Sequence, residues 1–178
     1  MRRVVITGVG AVTPVGCGKE KFWNAIKSGV CGINTVSKFD TENFSCKVAG
    51  ELTDFEITDY IEKKEARKMD EFTQYAVAAA KMAISDSGID FEKTDMDRVG
   101  VILGCGIGGI KTFEDQHSNF LNKGPGRVSP FFIPMMIPNI ASGQIAIMTG
   151  ARGVNHVVVS ACASGTNAIG EAFRTIQY

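Results

Sequence analysis

Short runs of β-branched and aliphatic residues alternate along this chain with longer stretches whose apolar positions recur every three or four residues. Strands and helices follow from those two periods. Arg3–Thr7 reads as a first strand, followed by a Gly-rich connection containing Pro14. Lys19–Ser28 reads as a helix with Phe22, Trp23 and Ile26 on one face, closed by Gly29. Residues 30–60 are irregular, with a short strand near Lys47–Gly50. Asp70–Ser87 is the clearest helix: Phe72, Tyr75, Ala76, Ala79, Met82 and Ala83 form its buried stripe, and Gly88 stands where a C-cap belongs. Arg98–Leu103 is a second strand, and Lys111–Asn122 a more polar helix ended by Gly124-Pro125-Gly126. Pro130, Pro134 and Pro138 argue against regular structure between them. Asn139–Thr149 is a third core helix with Asn139 as N-cap. Asn155–Val159 reads as a buried strand, and from Ala163 to Tyr178 helical spacing returns, with Ile169, Ala172, Phe173 and Ile176 on one face. Alternating strands and helices predict an α/β layer architecture around a largely parallel sheet.

Composition narrows the function classes. A chain of 178 residues can bury one sizeable core, and length alone suggests one domain. Nineteen basic and nineteen acidic residues balance to zero, which disfavours nucleic acid or an anionic membrane as a whole-surface partner. No window approaches the ~20 consecutive apolar residues of a membrane span. Val4-Val5-Ile6 is cut short by Gly8 and Gly10, so no signal peptide is expected. Five cysteines without paired spacing fit a reducing cytosol, and no CxxC or His-rich cluster points to a metal.

The segment Ser160-Ala161-Cys162-Ala163-Ser164-Gly165-Thr166 carries the chemistry. Cys162 falls between a strand and a helix, at the positive end of the helix dipole, where a thiolate is favoured. That placement resembles a nucleophile elbow with sulfur replacing the hydroxyl. A buried structural cysteine is the alternative.

Gly153, Val158, Ala161-Cys162-Ala163-Ser164-Gly165 and Ile169 resemble the active-site signature of the β-ketoacyl synthases, the condensing enzymes of fatty-acid and polyketide synthesis. Arg3–Gly10 is similar to the first strand of that family, and Lys64–Asp70 and Ser129–Pro134 are similar to segments of its elongating members. The likeness runs from about residue 1 to residue 178. It implies a thiolase-like fold of α-β-α-β-α layers built from two similar halves. Residues 1–178 would supply most of the N-terminal half, stopping one helix after the nucleophile, with the C-terminal half absent and a sheet edge left unfinished.

By the same resemblance, Cys162 takes an acyl group from acyl-carrier protein and its backbone N–H supplies one donor of an oxyanion hole. The decarboxylation of malonyl-carrier protein depends in the family on two histidines and a lysine of the second half. Only His117 and His156 occur here. His156 lies about 13 Å from Ser160 along an extended strand, and reads as a strand or interface residue. His117 reads as solvated. Gly104-Cys105-Gly106-Ile107-Gly108-Gly109 lacks the full spacing of a dinucleotide loop and its ribose-binding acid, so no cofactor is expected. In the family this segment lines the acyl tunnel. Gly106, Ile107 and Gly108 become pocket candidates with Phe132, Ile133 and Met136, and a bulky Ile107 resembles the type II enzymes. Packing of Ile107 in the core is the plainer alternative.

The apolar run Phe131–Ile137 would be a liability on a monomer surface. The resemblance, in which this run and strand Asn155–Ser160 lie at a two-fold interface, implies a homodimer, and the apolar run supports it. Lys64, Arg67 and Lys68 share a face if helical, with Lys63 beside them. Glu62, Glu65 and Glu71 allow a merely solvated reading. The resemblance instead makes Lys63, Lys64, Arg67, Lys68 and Arg127 a docking patch for acyl-carrier protein in its acyl and malonyl forms. The leading expectation is therefore a type II elongating condensing enzyme of the cytoplasm, without metal. Residues 1–178 alone would be inactive in condensation. A polyketide ketosynthase, or a non-catalytic half that only binds carrier protein, stands as the alternative.

Overall fold

A computed structural model describes residues 2–178. In chain order its elements are β1 (Val12–Thr13), β2 (Gly16–Cys17), α1 (Lys19–Lys27), β3 (Asn34–Thr35), β4 (Val48–Ala49), α2 (Lys63–Ala66), α3 (Glu71–Ser87), β5 (Val101–Gly104), α4 (Ile110–Lys123), α5 (Phe132–Met136), α6 (Ile140–Thr149), β6 (Asn155–Val158) and α7 (Ser164–Gln177). β1 and β2 form one antiparallel hairpin and β3 and β4 pair antiparallel as a second ribbon. β5 and β6 run parallel, in register Val101 to Asn155 through Gly104 to Val158. The long crossover between them carries α4, α5 and α6.

The centre is a stack. α7 packs on β5 and β6, α6 packs on the same two strands, and α3 packs on α6. Val77 and Ala78 of α3 and Ala141, Ser142, Ile145 and Ala146 of α6 are buried. Small side chains let these two helices approach closely, so each buried methyl has many partners. Gly88 and Gly150 end α3 and α6 in the left-handed conformation, at φ +64° and +74°, as C-cap glycines do.

Several sequence expectations need correction. The stripe of α3 is rotated: Thr73, Val77 and Ala78 are buried, whereas Phe72, Tyr75, Ala76, Ala79, Met82 and Ala83 are half-buried. The period is helical, but the deepest face is marked by small residues. Arg3–Thr7 is not in a strand, because no strand among the described residues offers it a ladder. Val5 and Ile6 are exposed. The chain instead crosses α3, where a Cβ on Gly10 would lie 2.0 Å from the Ala79 carbonyl oxygen. Trp23 and Ile26 of α1 are exposed as well. The second strand begins at Val101, after a 3-10 turn at Met96–Arg98.

Pro134 sits inside α5. It occupies the first turn, where a backbone N–H has no intrahelical acceptor to lose. Asn139 holds the N-cap position of α6 without a side-chain capping bond. In α7 the packed positions are Ser164 and Ala168, while Ile169, Phe173 and Ile176 point outward. Again the small residues face the sheet. Among the described residues, no helix is long and apolar enough to cross a membrane.

Candidate active site

The parallel pair β5–β6 delivers two loops to one end of the sheet. After β6, the chain makes a 3-10 turn at Ala161–Ala163 and enters α7 at Ser164. Cys162 is exposed in that turn, at the N-terminal end of a 14-residue helix. The buried structural reading of this cysteine is thereby corrected. Ala161 has φ +49°, and it is the one non-glycine residue with positive φ among those described. Such backbone costs about 1–3 kcal/mol and persists only where surrounding structure imposes it.

Ser164 imposes it. Its side chain is buried, its Oγ accepts the Ser160 N–H at 2.9 Å, and it donates to the Ala161 carbonyl at 2.7 Å. Asn167 adds an amide donated to Ser160 Oγ at 2.7 Å. Both turns of backbone that flank Cys162 are therefore held from the first turn of α7. Replacing Ser164 with alanine leaves two part-buried backbone groups without their side-chain partner, an expected loss of about 1 kcal/mol. A fall of several degrees in Tm, with slower alkylation or acylation of Cys162, would register it.

The second loop follows β5. The Cys105 N–H donates to the Val158 carbonyl at 3.1 Å, extending the ladder to the threshold of the turn. A Cβ at Gly104 would lie 2.3 Å from Ser164 C and O, so only glycine lets β5 meet α7 this closely. A Cβ at Gly106 would be 3.6 Å from the Ala161 carbonyl oxygen. Ile107 stands next to it with 71% of its surface exposed, which corrects the core-packing alternative. Gly108 has φ +93°, and the Gly109 N–H donates to the Met136 carbonyl at 2.8 Å. The C-terminal end of α5 thus clasps the glycine loop.

Within α5, Phe132 and Met136 are half-buried and Ile133 is exposed. The Phe132 ring lies 6.1 Å from that of Phe113 on α4. The sequence-predicted pocket residues Gly106, Ile107, Gly108 and Met136 are thus brought together beside the Cys162 turn. Asp70 and Thr112, which sequence reasoning did not single out, lie behind this loop, where Asp70 Oδ2 would be 2.9 Å from a Cβ on Gly109. An Asp preceding a long helix is their only sequence signal, and it reads as a cap.

His156 lies on β6 opposite Ile102 and is exposed. His117 is exposed on α4, its ring stacked 5.9 Å from Phe113. Among the described residues, no group of three His, Cys, Asp or Glu side chains is placed to hold a metal ion.

Lys63, Lys64, Arg67, Lys68 and Arg127 are all exposed. They do not form one helical face, because α2 stops at Ala66 and the backbone then tightens, with Lys68 and Met69 donating three residues back. Lys68 is paired with Glu65 at 2.9 Å, and that hydrogen bond holds the Glu65 carboxyl below the usual carboxylate range. Arg127 comes from a separate 3-10 turn, Pro125–Arg127, packed on α4.

A family model described as "Beta-ketoacyl synthase, N-terminal domain" matches residues 1–178. A 3-oxoacyl-[acyl-carrier-protein] synthase 2 from Staphylococcus aureus (strain COL) is 52% identical over 176 residues, covering 99% of this chain and 42% of that protein. The enzyme of the same name from Synechocystis sp. is 47% identical over 176 residues, covering 99% and 42%. The chain therefore spans about two fifths of the length of these curated relatives. Among solved structures, the ishigamide ketosynthase/chain length factor superposes with a TM-score of 0.89 at 30% identity, covering 98% of this chain and 44% of that one. The AntDE:AntF complex, a type II PKS acyl-carrier protein with its ketosynthase, superposes at 0.84 with 27% identity, covering 99% and 47%. The fold is that of the thiolase-like ketosynthases.

Proposed function

Since this chain belongs to the β-ketoacyl synthase family through its N-terminal domain, we propose that it carries the nucleophilic half of a condensing enzyme of fatty-acid elongation. The observation that carries this reading is Cys162, exposed on a strained turn at the start of α7 and flanked by the glycine loop. The Cys162 thiolate attacks the thioester carbonyl of an acyl-carrier protein. The tetrahedral oxyanion is met by the Cys162 N–H, and on its collapse the carrier sulfur leaves as a thiolate that takes a proton from solvent. Malonyl-carrier protein then loses carbon dioxide, and the resulting carbanion attacks the acyl-Cys162 carbonyl. That gives β-ketoacyl-carrier protein and frees the sulfur. The histidines of the decarboxylation step belong to the part of the protein outside this chain, so residues 1–178 alone perform no condensation.

Ile107, with Gly106, Gly108, Phe132, Ile133 and Met136, forms one wall of the acyl pocket in this reading. The open edge of β6 through Ser160 and the partly exposed Phe131–Ile137 segment face a second copy, making a homodimer. The protein works in the cytoplasm. The curated relatives named 3-oxoacyl-[acyl-carrier-protein] synthase 2 favour fatty-acid elongation. The likeness to a type II PKS ketosynthase supports a polyketide system as the second reading. Product analysis separates them: one two-carbon extension, reduced by partner enzymes, against repeated extension without reduction.

Intact-mass measurement after incubation with a long-chain acyl-carrier protein tests the proposal. One acyl group, mapped by proteolysis to Cys162, is expected. Carrier docking has its own test, in which Lys63, Lys64 and Arg67 are changed to glutamate together. Exposed charge pairs each contribute at most about 1 kcal/mol and weaken in salt. Roughly a tenfold rise in the Kd for acyl-carrier protein is expected at low ionic strength, shrinking as salt is added. Equal affinity of the triple variant at low salt would remove the patch from the docking surface.

A further inference from the structure

Asp70 is buried, and no lysine or arginine among the described residues forms a salt bridge with it. A lone carboxylate is costly in such a place unless strong donors surround it. Its Oδ1 accepts the Phe72 N–H at 3.3 Å and so caps α3. Its Oδ2 accepts both the N–H of Thr112 at 3.0 Å and the hydroxyl of Thr112 at 2.5 Å. Thr112 is also buried and stands in the first turn of α4, whose own N-cap is Gly109 and supplies no side-chain bond. One carboxylate thus caps two helices, the second across 42 residues of sequence, and both helix dipoles favour its negative charge.

The consequence falls on the glycine loop. Its start is fixed by the Cys105 N–H on Val158, and its end by Gly109 on Met136 and by Asp70 on Thr112. Ile107 stands between these two anchors. We infer that Asp70 is a positioning residue that sets where Ile107 stands relative to Cys162, and through it which acyl chains the site accepts. The inference rests on the proposed function, since it takes Ile107 as a pocket wall.

The test uses the full-length protein that carries this domain, with one short-chain and one long-chain acyl-carrier protein as donors. Asp70→Asn keeps the shape but leaves one acceptor for the donors of two helices. Thr112→Val removes only the hydroxyl, and Thr112→Ser restores it. For D70N and T112V the ratio of kcat/KM between the two donors is expected to shift by about tenfold or more, a range that one methylene of pocket contact commands. The change should appear mainly in KM, with alkylation of Cys162 by iodoacetamide at the unaltered rate. T112S should keep the original ratio. If D70N does not fold, T112V and T112S carry the comparison alone. A uniform loss for both donors, with the ratio unchanged, would mean that Asp70 only holds the fold and would overturn the inference. An unaltered protein whose Cys162 accepts neither acyl group would overturn the functional reading itself.

Discussion

Cys162→Ala is expected to lose acyl transfer completely, with no mass increase after incubation with acyl-carrier protein and condensation reduced by about four orders of magnitude or more. Nothing nearby replaces the sulfur. Ser164 Oγ is buried and committed to two backbone groups. Ser160 Oγ accepts from Asn167. Cys105 is half-buried at the end of β5, with its N–H engaged on Val158. The variant should fold normally, because an exposed side chain in a surface turn contributes within about 0.5 kcal/mol. A thermal melt matching that of the parent, beside a blank acylation experiment, separates chemistry from stability. Retained acylation would move the nucleophile to another cysteine, and peptide mapping would identify it.

Gly104→Val should be the most disruptive single change to the fold around the site. The first carbon of any side chain there would lie 2.3 Å from the Ser164 carbonyl group and 2.5 Å from the Gly165 nitrogen. Those are backbone atoms and cannot swing aside, so α7 must retreat from β5. Overpacking of this kind costs about 1–3 kcal/mol and more when backbone is displaced. At this chain length each kcal/mol lowers Tm by about 2–4 °C, so a drop near 10 °C is expected. Acylation should fall further than stability accounts for, because the same movement breaks the Ser164 bonds under Cys162. Gly170→Ala in the same helix is the matched control. No atom lies within 4 Å of its added carbon, and alanine in a helix interior is favoured over glycine by roughly 1 kcal/mol. Equal Tm values for the two variants would refute the close-approach account.

The fold was legible where local chemistry decides. The α3 helix announced itself through period and its Gly88 stop, the turn at Cys162 through a strand running into small residues, and the alternation of elements through the β5–α4 and β6–α7 order. Depth was less legible. Thr73 and Ala78 outrank Tyr75 and Met82 in burial, and Ser164 and Ala168 outrank Phe173 and Ile176, because close helix approach rewards small residues and leaves large ones outside. Strand formation at Arg3–Thr7 depends on a partner that no local pattern reports. At the site, the strand-to-helix turn that carries Cys162 could be read from spacing, whereas the glycine loop was marked only by the family resemblance. The bonds of Ser164 and the two-helix cap of Asp70 could not, since each depends on elements that meet only in three dimensions.

The positive φ at Ala161 makes the Cys162 turn a place where local strain is held apart from the packed core. Residues 160–163 would relax to ordinary backbone if released, and what restrains them is the first turn of one helix. Among the described residues, the α3–α6 pair and the β5–β6 ladder form no hydrogen bond with residues 160–163. On warming or in mild denaturant, the alkylation rate of Cys162 is therefore expected to change before the far-UV signal of the helices does.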